Sequence, residues 1–320
     1  MTVIADVDTH ELVEELRRKV IGEVRFDEVT RLLYSTDASI YQVKPIGVVL
    51  PKTTEDVIAV IEIANRHNVP VLPRGGGTSL AGQTVGQAIV IDFSKHMRDV
   101  IDINPEEGWA RVQPGIILDE LNARLRPLGY QFAPDPSTSN RSNVGGALGN
   151  NSCGSHSIVW GKTVDNVQSM EVVLSNGDVA TFGPLTEMGL EAKSRQDNFE
   201  GKIYRDLLNV GEANRDEILS RYPKIQRRVS GYNLDEFVGD QLFDMARFAV
   251  GSEGTLVTIT EANLRIVPIA KHKGIAVLHF SELIESMEAT VAILDLHPAA
   301  VEHIGSMILN QARSNLAYSR

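Results

Sequence analysis

Cysteine is almost missing from this sequence: Cys153 is the only one in 320 residues. A single cysteine cannot form a disulfide bond within the chain, and it cannot supply the several thiolates that hold an iron–sulfur cluster. Any redox chemistry carried out by this chain therefore needs another centre. Cys153 itself is interpreted as a small buried thiol, since that role is commoner for an isolated cysteine than the role of a nucleophile.

Basic residues and long apolar runs are also scarce. The sequence has 31 Lys and Arg against 42 Asp and Glu, a net charge of -11. Because phosphate backbones are bound through clustered Lys and Arg, this balance argues against nucleic acid as a partner. No apolar run approaches the roughly 20 residues of a membrane span, and the N-terminus lacks the apolar region of a signal peptide. The sequence therefore predicts a cytoplasmic protein without an integral membrane segment.

Glycine, by contrast, is concentrated in the loop PRGGGTSLAGQ at residues 73–83. Successive glycines let a ligand approach the bare backbone. A Walker loop would need Lys followed by Ser or Thr, and a dinucleotide fingerprint would need spaced glycines that open a helix. This loop has neither. What remains is a nest of backbone N–H groups, able to bind an anion without a cation, or else a tight turn with no ligand.

Helical and strand-like patterns alternate along the chain, without internal repeats. Helices are predicted over residues 9–20, 53–68, 117–129 and 199–221, with Thr54 as the N-cap of the second. Strands are predicted over residues 46–51, 69–74 and 87–94, hairpins over 100–115 and 167–182, and a glycine turn between strands within 248–268. Residues 132–157 show little periodicity and are predicted to form an ordered, irregular and functional segment.

The last fifty residues have a pattern of their own. They predict a strand over 275–280, a helix over 282–295, a strand at about 299–303 and the start of a further helix. This order is half of a split βαβ unit, and the sequence ends before the unit is complete. We therefore expect the chain to be part of a longer protein.

Three segments, in this order, resemble a known family. They are PRGGGTSLAGQ (73–83), APDPSTSNRSNVGGALGNNSCGSHS (133–157) and VGSEGTLVTIT (250–260). Together they resemble the FAD-binding domain of the vanillyl-alcohol-oxidase type, also called the PCMH type, and in particular the FAD-linked D-lactate, glycolate and D-2-hydroxyglutarate dehydrogenases. The resemblance covers about residues 30–305. YSTDASIYQ (34–42) and RRVSGYNLDEF (227–237) resemble the long members, which carry an iron–sulfur domain downstream.

The resemblance implies an α+β fold. A PCMH-type FAD-binding domain over residues 1–270 would consist of two α/β subdomains, about 1–104 and 105–270. Residues 271–320 would be the first half of a ferredoxin-like cap domain. The half-built cap leads us to expect that this chain binds FAD and does not turn over a 2-hydroxy acid at a normal rate.

The resemblance also implies which residues bind FAD. Its glycine loop would wrap the pyrophosphate, the second segment would follow the ribityl chain and the ring, and the third would lie near the adenine. The residues carried over are Arg74, Gly75, Gly76, Gly77, Thr78, Ser79, Gly82, Gln83, Pro134, Asp135, Pro136, Ser137, Thr138, Asn143, Gly145, Gly146, Asn151, Ser152, Gly154, Glu253, Gly254 and Ile259. Relatives that tether FAD through this loop have His where this chain has Thr78, so the resemblance implies non-covalent FAD.

The chemistry implied is oxidation of a D-2-hydroxy acid, with electrons passed to an external acceptor or to a downstream iron–sulfur domain. Tyr232, Asn233 and His156 are weak candidates for catalytic residues, and each has a structural interpretation as well. No metal site is predicted, because His297 and His303 are not spaced for one helical face. Two alternatives stay open: a module that holds FAD without turnover, and an NADPH-linked flavin reductase of the same fold.

Overall fold

The computed structural model of the chain describes residues 9–238, 242–315 and 317–318. Its two main sheets are formed by consecutive parts of the chain. The first sheet contains strands β1 (Glu23–Arg25), β2 (Gly47–Leu50), β3 (Val71–Arg74) and β4 (Ile89–Asp92), in the order β1-β2-β4-β3. Strands β2, β4 and β3 run parallel, whereas β1 is antiparallel to β2.

Three helices belong to this first part: α1 (Thr9–Lys19), α2 (Glu28–Leu33) and α3 (Thr54–Arg66). The apolar face of α3 packs with α1 and with the buried strands β2 and β4 in one core cluster. The predicted helix is confirmed, but its N-cap is Thr53, whose side chain accepts a hydrogen bond from the Asp56 N–H. Both threonines fit a cap by residue type, so the prediction of Thr54 was wrong by one residue.

The second sheet is antiparallel, with the order β5-β6-β12-β8-β9. The remaining strands are β5 (Val100–Asn104), β6 (Trp109–Val112), β7 (Tyr130–Gln131), β8 (Val167–Val173), β9 (Val179–Phe182), β10 (Pro184–Leu185), β11 (Phe243–Asp244), β12 (Thr258–Arg265) and β13 (Val267–Pro268). Both predicted hairpins, β5–β6 and β8–β9, are confirmed. The long β12 lies between them and pairs with β6 and β8, a placement that no local turn signal indicates.

Short helices cover this second sheet. They are α4 (Leu118–Leu125), α5 (Val144–Asn150), α6 (Ser157–Trp160), α7 (Glu187–Ser194), α8 (Phe199–Ala213), α9 (Arg215–Arg221) and α10 (Met245–Ala249). The largest core cluster joins the sheet to α4, α5 and α10 and buries Leu121, Leu148 and Phe248. The glycine turn at 251–254 was predicted to lie between two strands. The strand after it is confirmed as β12, but helix α10 precedes it, so the predicted strand before the turn was wrong.

The residues after β13 contain α11 (Leu283–Leu294) and α12 (Ser306–Ser314), which confirms the predicted helix over 282–295. The strands predicted over 275–280 and 299–303 are not formed in the described part of the chain. An extended segment becomes a strand only when its N–H and C=O groups pair with a neighbour, and neither segment has such a neighbour among the described residues. Ile275, Val291 and Met307 are exposed there, at 93%, 69% and 68%.

The predicted domain boundaries stay a prediction. The pairing of strands gives one relevant detail: β5 ends at Asn104 and pairs with β6, so the strand just before the predicted boundary at 104/105 lies in the second sheet. No helix in the described ranges is long and apolar enough to cross a membrane.

Candidate functional site

A cleft lies beyond the carboxyl end of β3. Its walls come from three places in the chain: the glycine loop after β3, helix α5, and the turn that leads into β12. Nine residues predicted to bind the cofactor line it, namely Arg74, Gly75, Ser79, Gln83, Gly145, Gly146, Glu253, Gly254 and Ile259. The three segments quoted from the sequence therefore meet at one site.

Other residues also line the cleft, although the sequence analysis did not single them out. They include Thr84, Phe93, Pro114 and Gly149. Phe93 directly follows β4, which is parallel to β3, so both strands end at the same edge of the sheet. Ligands of open α/β sheets bind at this edge, so the strand pattern carried a usable signal for Phe93. Gly149 lies one helical turn from Gly145, and only the recognition of α5 as a helix could have indicated it.

Each glycine of the loop is required for a different reason. A Cβ on Gly75 would lie 2.9 Å from Asn143 Oδ1, and one on Gly76 would lie 2.3 Å from the carbonyl oxygen of Arg141. Gly77 has a φ of 64°, in the left-handed region that favours glycine. The loop is thus pressed against residues 141–143 of the second segment as well as exposed to the cleft.

Arg74 lies at the start of the loop, and its charged guanidinium makes contacts within the protein. Its guanidinium donates hydrogen bonds to the carbonyl oxygens of Tyr34 (3.2 Å), Thr36 (2.8 Å) and Thr84 (2.8 Å). It also lies over the Tyr34 ring, 5.3 Å from the centroid. Arg74 and Glu253 are the charged residues among the described residues that line the cleft.

Helix α5 was not predicted, because its sequence VGGALGN lacks a helical apolar stripe of ordinary length. Tertiary contacts decide it: Val144, Ala147 and Leu148 are buried in the core. Gly145 packs against Pro114, because a Cβ there would lie 2.7 Å from Pro114 Cβ, whereas Gly146 faces outward. A Cβ on Gly146 would have no atom within 4 Å. The helix therefore presents a bare backbone to the cleft.

Glu253 joins all three segments. Its Oε1 accepts hydrogen bonds from Asn150 Nδ2 (2.8 Å) and, at 3.5 Å, from Gln83 Nε2. Its backbone N–H donates to the Gly149 carbonyl at 3.0 Å. Glu253 has a φ of 52°, uncommon for a residue with a side chain, and such backbone strain persists only where the surrounding structure imposes it.

Burial raises the pKa of Glu253 above its ordinary value of 4.5, although the hydrogen bonds from Asn150 and Gln83 lower it. A carboxyl with a raised pKa contributes stability that is complete below pH 4.5 and is lost as the pH rises through its folded-state pKa. We expect Glu253→Gln to be more stable than the wild type at pH 7 and this advantage to shrink towards pH 5. Urea unfolding of the two proteins across this range measures the difference.

The matched control for this prediction is Glu106→Gln, at an exposed carboxylate in the β5–β6 turn. It reports the general effect of removing one negative charge. A stability difference between Glu253→Gln and wild type that stays constant from pH 7 to pH 5, or widens, would contradict the burial argument.

The other predicted cofactor residues are not among those that line the cleft. They are Gly76, Gly77, Thr78, Gly82, Pro134, Asp135, Pro136, Ser137, Thr138, Asn143, Asn151, Ser152 and Gly154. Asn143 and Asn151 are almost fully buried and lie at the two ends of α5. Each has a buried polar atom without a hydrogen bond, Oδ1 of Asn143 and Nδ2 of Asn151.

Asp135 and His156 form a pair that the sequence did not predict. His156 Nδ1 lies 2.6 Å from Asp135 Oδ2, and the His156 N–H donates to Asp135 Oδ1 at 3.2 Å. Gly154 makes this geometry possible, because a Cβ there would lie 2.2 Å from Asp135 Oδ1. Both side chains are part-exposed, and no described residue is hydrogen-bonded to His156 Nε2.

The other two catalytic candidates are engaged in structural contacts. Asn233 is 4% exposed and donates to the carbonyl oxygens of Arg247 and Val250, which ties it to helix α10. Tyr232 shares a hydrogen bond between its hydroxyl and that of Thr255 at 2.9 Å, and its ring packs against Phe248. Within residues 9–238, 242–315 and 317–318, no group of three or more His, Cys, Asp or Glu could hold a metal ion.

Comparison with known proteins agrees with this site. Residues 45–183 match the family model of the FAD binding domain. The match includes the first two of the three quoted segments and confirms the resemblance to a PCMH-type FAD-binding domain. The solved structure of an alkyldihydroxyacetonephosphate synthase has a TM-score of 0.57 at 22% identity, over 82% of this chain and 41% of that one, and shows the same fold.

The chain is, more particularly, similar to dehydrogenases and oxidases named for 2-hydroxy acids. It is 37% identical to D-2-hydroxyglutarate dehydrogenase of Escherichia coli over 93% of this chain and 30% of that protein. It is 32% identical to glycolate oxidase subunit GlcD of Bacillus subtilis over 91% of this chain and 53% of that protein. The chain thus spans about a third to a half of the length of these relatives.

The cleft fits FAD chemically. Glycine backbone at Gly146 admits a large, flat or extended group, and the hydroxyl of Ser79 supplies hydrogen bonds without charge. The open space at Gly146 is the space that a ligand would fill. The residues present therefore suit a cofactor held mainly by backbone and neutral side chains.

Proposed function

We propose that this chain binds FAD non-covalently in the cleft and forms the flavin-binding part of a cytoplasmic enzyme that oxidises a D-2-hydroxy acid. The observation that carries the proposal is the convergence of three distant segments, 73–84, 145–149 and 252–259, on one glycine-walled cleft. The names of the relatives, which act on 2-hydroxyglutarate and glycolate, support the substrate class. The electrons would pass to an external acceptor or to an iron–sulfur domain.

FAD, when bound, supplies the acceptor for a hydride. The chain's residues would hold the cofactor, exclude water and manage the hydroxyl proton. Among the three catalytic candidates, His156 is best arranged for the proton, because Asp135 holds its Nδ1 and no described residue is hydrogen-bonded to its Nε2. A carboxylate on one ring nitrogen fixes the tautomer in which the other nitrogen accepts a proton. We therefore assign His156 Nε2 as the proton acceptor.

The cofactor should be released when the protein unfolds. The loop position at which tethering relatives have His is Thr78, and a threonine hydroxyl does not form the histidyl bond to the flavin. We expect purified holoprotein to be yellow and to lose all its flavin to the supernatant after precipitation with acid. Flavin absorbance that stays with the washed, denatured chain would contradict this expectation.

Stopped-flow mixing of the holoprotein tests the function. Anaerobic bleaching of the flavin by D-lactate, glycolate or D-2-hydroxyglutarate supports the proposal. Bleaching by NADPH favours the flavin-reductase alternative, and bleaching by none of these favours a module that only holds FAD. If a hydroxy acid bleaches the flavin, His156→Gln should slow the bleaching by about 100-fold or more with FAD content unchanged, the usual contribution of a general base.

A further inference from the structure

The motif YSTDASIYQ, which the FAD-binding assignment does not use, lies directly behind the glycine loop. We call residues 34–41 the support segment. The segment is closed on itself by a hydrogen bond from the Val43 N–H to the Ser35 carbonyl (2.8 Å) and by a bridge between Thr36 and Gln42. These two contacts are made within residues 35–43 and do not involve the glycine loop.

The support segment contacts the glycine loop at its start, middle and end. At the start, Arg74 donates to the carbonyls of Tyr34 and Thr36. In the middle, the Ala38 N–H donates to the Gly77 carbonyl at 3.0 Å. At the end, Asp37 Oδ2 accepts from the Thr84 hydroxyl at 3.0 Å and from its N–H at 3.4 Å.

Two ring contacts complete the arrangement. The Tyr34 hydroxyl donates to Asp92 Oδ2 at the end of β4, so the aromatic ring below Arg74 is itself anchored to the sheet. The Tyr41 ring lies against Gly82, where a Cβ would be 2.7 Å from the ring. The glycine loop thus lines the cleft with Gly75, Ser79 and Gln83, and it contacts the support segment through Arg74, Gly77 and Gly82.

We infer that residues 34–41 position the glycine loop for FAD, and that Arg74 is a positioning residue and not a ligand of the pyrophosphate. The inference rests on the proposed function, since it concerns the same cleft. A loop of consecutive glycines loses more conformational entropy on ordering than other sequences. A support that orders it before FAD arrives lowers the entropic cost of binding.

Removal of the Asp37 carboxylate can act on FAD binding through electrostatics or through loss of support. The two effects change the FAD dissociation constant in opposite directions. Through simple electrostatics, removal of a carboxylate beside an anion site would tighten FAD binding. Through loss of support, Asp37→Ala should weaken it, and we expect a dissociation constant about 10-fold higher. Glu106→Ala removes one exposed carboxylate in the β5–β6 turn and is the matched control, with an expected change below about 2-fold.

The experiment measures FAD affinity by flavin fluorescence and, independently, amide hydrogen exchange of the FAD-free chain over residues 75–83 and at Ala38. We expect faster exchange in Asp37→Ala without FAD present. Tyr34→Phe, which keeps the ring and removes only the hydroxyl, is the second variant and covers a failure of Asp37→Ala to fold. It should weaken FAD binding by about 3-fold and speed the same amides.

Unchanged or tighter FAD binding, together with unchanged exchange of the loop in a folded variant, would overturn the inference. Failure of the proposed function has a different signature, because then the wild-type chain binds no FAD at all. In that case the exchange data still report whether residues 34–41 order the loop.

Discussion

Gly146→Leu is expected to lower FAD affinity by about 100-fold while the FAD-free protein becomes slightly more stable. Gly146 lies in helix α5 with open cleft beside it, so the new side chain meets no protein atom near its Cβ. It occupies space that FAD would need, and forcing extra methylenes into a filled site costs up to about 3 kcal/mol, or two factors of ten in affinity. The same change removes a helix glycine, which gains up to about 1 kcal/mol.

The two effects of Gly146→Leu have opposite signs and need separate measurements. Titration with FAD gives the affinity, and thermal unfolding of the FAD-free protein gives the stability. Ala192→Leu, at an exposed position of helix α7, adds a larger side chain away from the cleft and should leave FAD affinity unchanged. Wild-type FAD affinity in Gly146→Leu would show that the cofactor does not lie against α5.

Gly76→Val should abolish FAD binding for another reason. A Cβ at this position would lie 2.3 Å from the Arg141 carbonyl, a backbone atom that cannot swing aside as a side chain can. The glycine loop and residues 141–143 must therefore separate. We expect this to lower the free energy of unfolding of the FAD-free protein by about 1 to 3 kcal/mol as well. Thermal unfolding and flavin content of the purified protein measure both losses.

The comparison between Gly76→Val and Gly146→Leu is informative because only the first should destabilise the FAD-free chain. A folded Gly76→Val protein that retains wild-type flavin content would contradict the packing of the loop against residue 141. A Gly146→Leu protein that loses stability as well as FAD would show that the space beside α5 is smaller than the structure indicates.

Several features of this protein followed from the sequence because they depend on neighbours along the chain. The hairpins β5–β6 and β8–β9 were predicted from their turns, since a short turn brings adjacent strands into register. Helix α3 was predicted from its apolar spacing. The three glycine-bearing segments were recognised by their resemblance to a known family, which short runs of consecutive residues are enough to carry. The left-handed conformations of Gly77 and Gly254 are a local reason for glycine at these two positions.

The tertiary structure alone decided the features that depend on residues distant in sequence. Helix α5 forms because the core accepts Val144, Ala147 and Leu148. The guanidinium of Arg74 is held in place because the carbonyls of Tyr34, Thr36 and Thr84 accept its hydrogen bonds. The expected strands after β13 lack described partners, since strand formation requires a neighbour that local sequence does not supply. The sequence thus indicated three segments, whereas packing between these segments determined which of their residues line the cleft that they share.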